Sequence, residues 1–117
     1  MRGPDHKQSS LFSYTHIEDG IAADHPLRRI KVMADMVLHS MSPSFDSLYA
    51  EGGRPSIAPE RLLRALLLQC LFSIRSERGL IEHLDFNMLF RWFVGLSQDE
   101  PVWDHSSFSA NRDRLLK

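Results

Sequence analysis

Carboxylates come closest together near the C-terminal end, where Asp99, Glu100 and Asp104 share the stretch "DEPVWD". Phosphoryl transfer on two metal ions needs carboxylates that converge on cations a few ångströms apart. Sequence neighbours on a turn and at a helix cap splay apart, so this stretch predicts no catalytic centre. The histidines His6, His16, His25, His39, His83 and His105 show no ligand spacing with one another or with Cys70. "EGGRP" is glycine-rich but runs into proline, where a phosphate loop would carry Lys followed by Ser or Thr. No metal, no cofactor and no small-molecule substrate is expected.

A second chemistry, binding to a phosphate backbone, fits better. The final stretch "DHSSFSANRDRLLK" reads as a helix capped by Asp104, with Ser106 as the alternative cap. Phe108 and Leu115 fall on one side, flanked by His105 and Leu116, with Trp103 nearby. Ser107, Ala110, Arg114 and Lys117 fall on the other, and Asn111 borders them. Arg112 falls on the inward side and needs a carboxylate or an exposed edge. Short side chains followed by cations suit a recognition helix, in which Ser and Asn reach base edges and Arg and Lys bind phosphates. The residues expected to carry DNA contact are Ser106, Ser107, Asn111, Arg112, Arg114 and Lys117. Arg75, Arg78 and Arg91, near the ends of neighbouring helices, would extend the phosphate surface. The same pattern also suits a solvated helix face, with those arginines paired to Glu77, Glu82 and Asp85.

The elements that must position these groups are helical. Residues 1–25 read as an arm, in which Leu11, Phe12 and Tyr14 could pack locally. Residues 26–117 read as the folded domain. Pro26 opens a helix with Asp24 as a plausible cap, and Leu27, Ile30, Met33, Ala34, Val37, Leu38 and Met41 form its apolar stripe until Pro43 ends it. Residues 42–59 read as a linker anchored by Phe45, Leu48 and Tyr49. Pro59 opens a second helix over "PERLLRALLLQCLFSI", apolar in nearly every direction and so expected at the centre of the fold, with Cys70 as a buried hydrophobe. Ser76 and Asn87 can cap two short helices, and Gly95 can stop the second. The expected fold is all-α, a small bundle of about five helices whose closely spaced last three resemble a helix-turn-helix plan.

Composition agrees with a single small domain: 117 residues, 43% hydrophobic and 25% charged. The formal net charge of −1 excludes a polycation that binds DNA along its whole surface. One cysteine permits no disulfide within the chain. "MRGPDHKQSS" lacks the apolar core of a secretory signal, and the longest apolar stretch is interrupted by Arg64 and Gln69, so a cytoplasmic protein with no membrane partner is expected.

The segments "ADHPLRRIK", "RPSIAPERLLRALLLQ", "SERGLIEHL", "FRWFVGL" and "DEPVWDHSSFSANRDRLL" together resemble the N-terminal domain of bacterial insertion-sequence transposases of the DDE type, grouped with insertion sequence five. The resemblance runs over residues 8–116. It implies a helical domain that binds the element's terminal inverted repeats, without catalytic activity of its own. It also implies a ribonuclease-H-like catalytic domain that would begin just after Lys117. The chain then reads as a truncated transposase. Ala58 stands where the family usually has an acidic or polar cap. Ala110 stands where a basic residue is usual, and Asn111 where an aromatic is usual. The alternative is a helical interaction module that contacts itself or a full-length transposase and inhibits transposition.

Overall fold

The computed structural model describes residues 3, 16–49 and 57–116, so the expectations for residues 1–15, for residues 50–56 and for Lys117 fall outside it, apart from Gly3. The described residues form a 3-10 turn, Ile17–Gly20, and six α-helices: α1 Pro26–Ser40, α2 Ser42–Tyr49, α3 Pro59–Leu71, α4 Glu77–Phe86, α5 Met88–Val94 and α6 His105–Leu116. No strand occurs among them, and the fold is all-α as expected. The extra helix is α2, which occupies the first part of the expected linker. Pro43 lies in its first turn, where the missing N–H costs nothing, so proline starts a helix here as well as following one.

Short-range chemistry fixes most boundaries. Ser76 Oγ accepts from Gly79 N at 3.0 Å, and Asn87 Oδ1 accepts from Leu89 N and Phe90 N at 3.0 and 3.3 Å, which starts α4 and α5. Gly95 ends α5 at φ 99°, in the left-handed region that favours glycine. The cap of α1 is His25, whose Nδ1 accepts from Leu27 N at 3.1 Å, and not Asp24. Ala58 contributes no side-chain cap to α3, which relies on Pro59 in its first turn. That helix ends at Leu71, before the expected Ile74, because Ser73 turns into the left-handed region at φ 53°.

The core joins five helices. Leu27 of α1, Leu62, Ala65 and Leu68 of α3, Leu80 and Leu84 of α4, Phe90, Phe93 and Val94 of α5, and Phe108 of α6 are all buried, together with Ile57 and Leu96. Only one stripe of α3 is fully enclosed. Leu63, Leu66 and Leu67 are half-buried, while Cys70, Leu71 and Phe72 are exposed. The expectation of a helix wrapped on every side, with Cys70 inside, is therefore corrected: the packed helices cover one flank of α3, and α1 adds polar ties to the packing of Leu27, Ile30 and Ala34 on the core. Arg64 of α3 reaches Asp35 of α1 at 2.8 Å, and Lys31 reaches the same carboxylate at 3.0 Å. The stripe expected to bury α1 is only partly used: Leu27 and Leu38 are buried, whereas Met33 and Val37 are 65% and 57% exposed.

The segment before α1 is fastened by one arginine. Arg28 donates to the carbonyls of Glu18, Ile21 and Ala22 and pairs with the Glu18 carboxylate at 3.1 Å. Its guanidinium also lies 5.5 Å from the centre of the Trp92 ring, with Lys31 Nζ at 5.7 Å from the same ring.

A second arginine sits inside the protein. Arg91 is 3% exposed. Its Nη1 donates to Leu84 O at 2.8 Å and its Nη2 to Ser97 O at 2.6 Å, and the same fork reaches Glu100 O. Leu84 O belongs to the last turn of α4, whose carbonyls have no partner within the helix and carry its negative dipole end. Beside it, Arg61 of α3 pairs with the Glu100 carboxylate at 2.6 Å and donates to Gly95 O at 2.8 Å.

Two predictions follow from these ties. Arg91→Ala strands several buried carbonyls and should cost about 3 kcal/mol of stability. Arg91→Lys, with a point charge and no fork, should recover only part of it. Urea titration followed by circular dichroism checks both, and an unchanged midpoint for Arg91→Ala would contradict the assignment. The second concerns acid. Arg61's hydrogen bond holds the Glu100 carboxyl below its ordinary value, against partial burial. For Asp35 partial burial pushes upward, but the hydrogen bond and charge of Lys31 and the charge of Arg64 outweigh it and the result is again lowered. Carboxylates with depressed folded-state pKa values contribute stability that is present above their unfolded values and lost as pH falls through the folded ones. The contribution of these groups to the melting temperature should therefore be full and constant above about pH 5 and fall away below about pH 4. Glu100→Gln should melt lower at pH 7 and show a shallower acid-side fall.

Candidate nucleic-acid interface

Helix α6 packs across α3 and α4. Asp104 starts it: Oδ1 accepts from Ser107 N at 2.8 Å, and hydrogen bonds from the Ser107 side chain and backbone hold the carboxyl below its usual range. Phe108 is fully buried, with its ring 6.4 Å from that of Trp103. Asn111 is buried too. Its Oδ1 accepts from Ile57 N at 3.4 Å and its Nδ2 donates to Ser107 O at 2.8 Å.

That inward asparagine turns the helix relative to the sequence-based expectation. The fully solvated line is Ser106, Ala110 and Asp113. Ser107 and Arg114 are half-buried along one side of it, and Arg114 is engaged within the fold. Ser109 and Arg112 lie along the other side, facing α4. Leu116, expected inside, is 67% exposed. An asparagine reads as polar from sequence, yet its carboxamide answers both a backbone donor of another segment and a carbonyl of its own helix, so burial costs it little.

The seam between α6 and the start of α4 is polar. Ser109 Oγ donates to Glu77 Oε2 at 2.5 Å. Arg112 pairs with the other Glu77 oxygen and also donates to Asp113 Oδ1 at 2.8 Å. The expected carboxylate for Arg112 is thus Glu77, 12% exposed at the first position of α4, where a negative charge also suits the helix dipole. Arg75 and Arg78 flank Glu77 in sequence, are exposed, and make no ion pair among the described residues.

The nine residues expected to touch DNA are therefore not equivalent. Ser106, Arg75 and Arg78 stand in solvent. Ser107, Arg112 and Arg114 line the edges of α6. Asn111 and Arg91 are inside, with their polar groups satisfied by the protein, and cannot reach a phosphate without unfolding their surroundings. Lys117 lies outside the described residues. Asp113, which was not expected at the interface, lies on the solvated line; its signal was its spacing of three from Ala110 and seven from Ser106.

The acidic stretch that opened the question of catalysis is dispersed. Glu100 is held by Arg61, Asp99 accepts from Ser97 Oγ at 3.1 Å, and Asp104 caps α6. Among the described residues no group of three His, Cys, Asp or Glu side chains could hold a metal ion. No helix there is long and apolar enough to cross a membrane.

Residues 15–114 match the family model described as "Transposase domain (DUF772)". No curated protein and no solved structure matches the chain. The family match spans most of the sequence and all of the described helices except the last two residues of α6, and on that ground the chain belongs to the transposase domain family.

Proposed function

We propose that this domain is the DNA-binding N-terminal part of a DDE transposase of the insertion sequence five type, and that it grips the element's terminal inverted repeats in the cytoplasm. The observation that carries the reading is the exposed pair Arg75 and Arg78 at the start of α4, flanking in sequence the Glu77 to which α6 is tied through Ser109 and Arg112. Cations held at a helix start, next to a helix face of small side chains, suit a duplex whose phosphates flank a groove. In this helix-turn-helix-like arrangement α6 is the recognition helix, although ten residues separate it from α5. Ser106 and Ser107 supply hydroxyls, Arg75 and Arg78 supply the cations, Arg112 and Arg114 line the edges of α6 while engaged within the protein, and Asn111 and Arg91 hold the helices at the angle that presents them. The domain binds; catalysis belongs to a ribonuclease-H-like domain of the transposase.

Few cations are spared for phosphates, so affinity of the domain alone should be micromolar or weaker at physiological salt, on the order of a non-specific binder. Arg75→Ala and Arg78→Ala should each weaken binding to every duplex alike and reduce the salt slope by about one. Fluorescence anisotropy with a labelled duplex at several salt concentrations tests this. Wild type that fails to bind at low salt would remove the reading, and unchanged slopes in both variants would move the surface elsewhere.

A second reading, self-association, is favoured by α1. Val32, Met33, Met36 and Val37 are each between 57% and 68% exposed and form one stripe. Placed against a second copy about a two-fold axis between Met33 and Met36, valine meets valine and methionine meets methionine, the self-complementarity that a symmetric dimer requires. Met36→Lys should then lower the sedimentation-average mass of concentrated samples towards that of the monomer without changing the circular-dichroism spectrum. A monomeric wild type at all concentrations contradicts this reading.

A further inference from the structure

Asp113 is the least expected residue on a DNA-facing helix. It lies on the solvated line with Ser106 and Ala110, its side chain 60% exposed. A carboxylate repels phosphates, so in this position it weakens backbone binding unless a base answers it. Its neighbours fix its role. Arg112 donates to Asp113 Oδ1 through Nη2 at 2.8 Å and Nε at 3.2 Å, which orients the carboxylate. Arg114 follows directly in sequence on the opposite edge of the helix. Arg112 and Arg114 therefore flank the solvated line on either side of α6, Arg112 being tied back to Glu77, and the anion lies on the line that would face the bases.

We infer that Asp113 is a specificity-determining residue that reads a cytosine in the major groove. The inference rests on the DNA-binding reading above. Among the bases, guanine shows N7 and O6 as acceptors and thymine shows O4, both of which repel a carboxylate. Adenine shows its amino donor beside the N7 acceptor. Cytosine alone shows a donor, N4, with no acceptor of its own next to it. Asp113 Oδ2 accepts from that amino group while Oδ1 stays with Arg112. Ala110, one turn earlier, has no side chain long enough to hold the helix away from the groove floor, and its methyl can pack on a thymine methyl at an adjoining pair. The carboxylate thus exchanges overall affinity for discrimination: it disfavours most sequences and favours one.

The test is selection from a randomised duplex library by the full 117-residue chain, in wild-type, Asp113→Ala and Asp113→Asn forms, with circular dichroism to verify that all three fold alike. Wild type should enrich cytosine at one position by about tenfold. Asp113→Ala should lose that preference, keep the rest of the motif and bind non-selected duplexes more tightly. Asp113→Asn should move the preference at the same position to adenine, whose N6 and N7 suit a carboxamide. The same motif in all three proteins, or tighter binding to every sequence by the same factor in both variants, overturns the inference and leaves Asp113 as a surface charge. Salt-dependent wild-type binding with no sequence preference also overturns it, while the DNA-binding reading stands. No wild-type binding at low salt removes both.

Discussion

One buried guanidinium organises the C-terminal half of the chain. Arg91 is surrounded by carbonyl oxygens and pairs with no carboxylate among the described residues, gathering Leu84 O from α4 together with Ser97 O and Glu100 O from the turn after α5. A charge in an apolar interior is costly unless its donors are all answered, and a guanidinium has five fixed in one plane. The arrangement is therefore demanding: α4 must end and the 97–100 turn must fold back at the same place, or the charge is stranded. Arg61 repeats the constraint from α3, reaching Gly95 O and the Glu100 carboxylate. The path from α5 to α6 is set by these carbonyls, since the segment between them has little regular structure of its own.

The pose of α6 then depends on two quite different anchors. Phe108 supplies apolar burial without direction. Asn111 supplies direction, because its carboxamide must meet Ile57 N–H and Ser107 O together. Glu77 adds a third tie through Ser109 and Arg112, at the point where α4 begins. Three elements thus converge on one helix, which makes its solvated line a property of the fold and not of the helix alone.

These particulars explain what could be read from the sequence. Helix starts at Ser76, Asn87 and Asp104 and the stop at Gly95 were legible, because a cap acts within three or four residues of itself. The all-α class followed from apolar spacing. The rotation of α6 was not legible: it is decided by an N–H more than fifty positions away in the chain. Nor was the fate of Arg91, since an arginine bound to carbonyls has no charged partner to look for. Leu-rich α3 suggested a helix enclosed on all sides, yet enclosure depends on how many helices are available to surround it, and α1 leaves Met33 and Val37 of its own apolar stripe exposed. Helix α2 was missed because proline was read as a terminator in a place where it serves as a start.

Charge bookkeeping links fold to function more tightly than net charge does. Arg28, Lys31, Arg61, Arg64, Arg91 and Arg112 are all committed within the protein, to carbonyls, carboxylates or the Trp92 ring. A domain that spends its cations on its own architecture has few to offer a polyanion, whatever its composition. On the proposed DNA-binding reading its hold on a single duplex site is then weak, and any tight hold must come from joining two such sites. Linking two weak contacts makes the second one intramolecular, with a gain set by geometry and not by new contacts. The exposed stripe on α1 and the solvated line on α6 belong to different helices and share no residue, so one copy can use both at once. In that arrangement modest affinity per domain is an advantage, because a lone site is released quickly and only a pair of correctly placed sites is held.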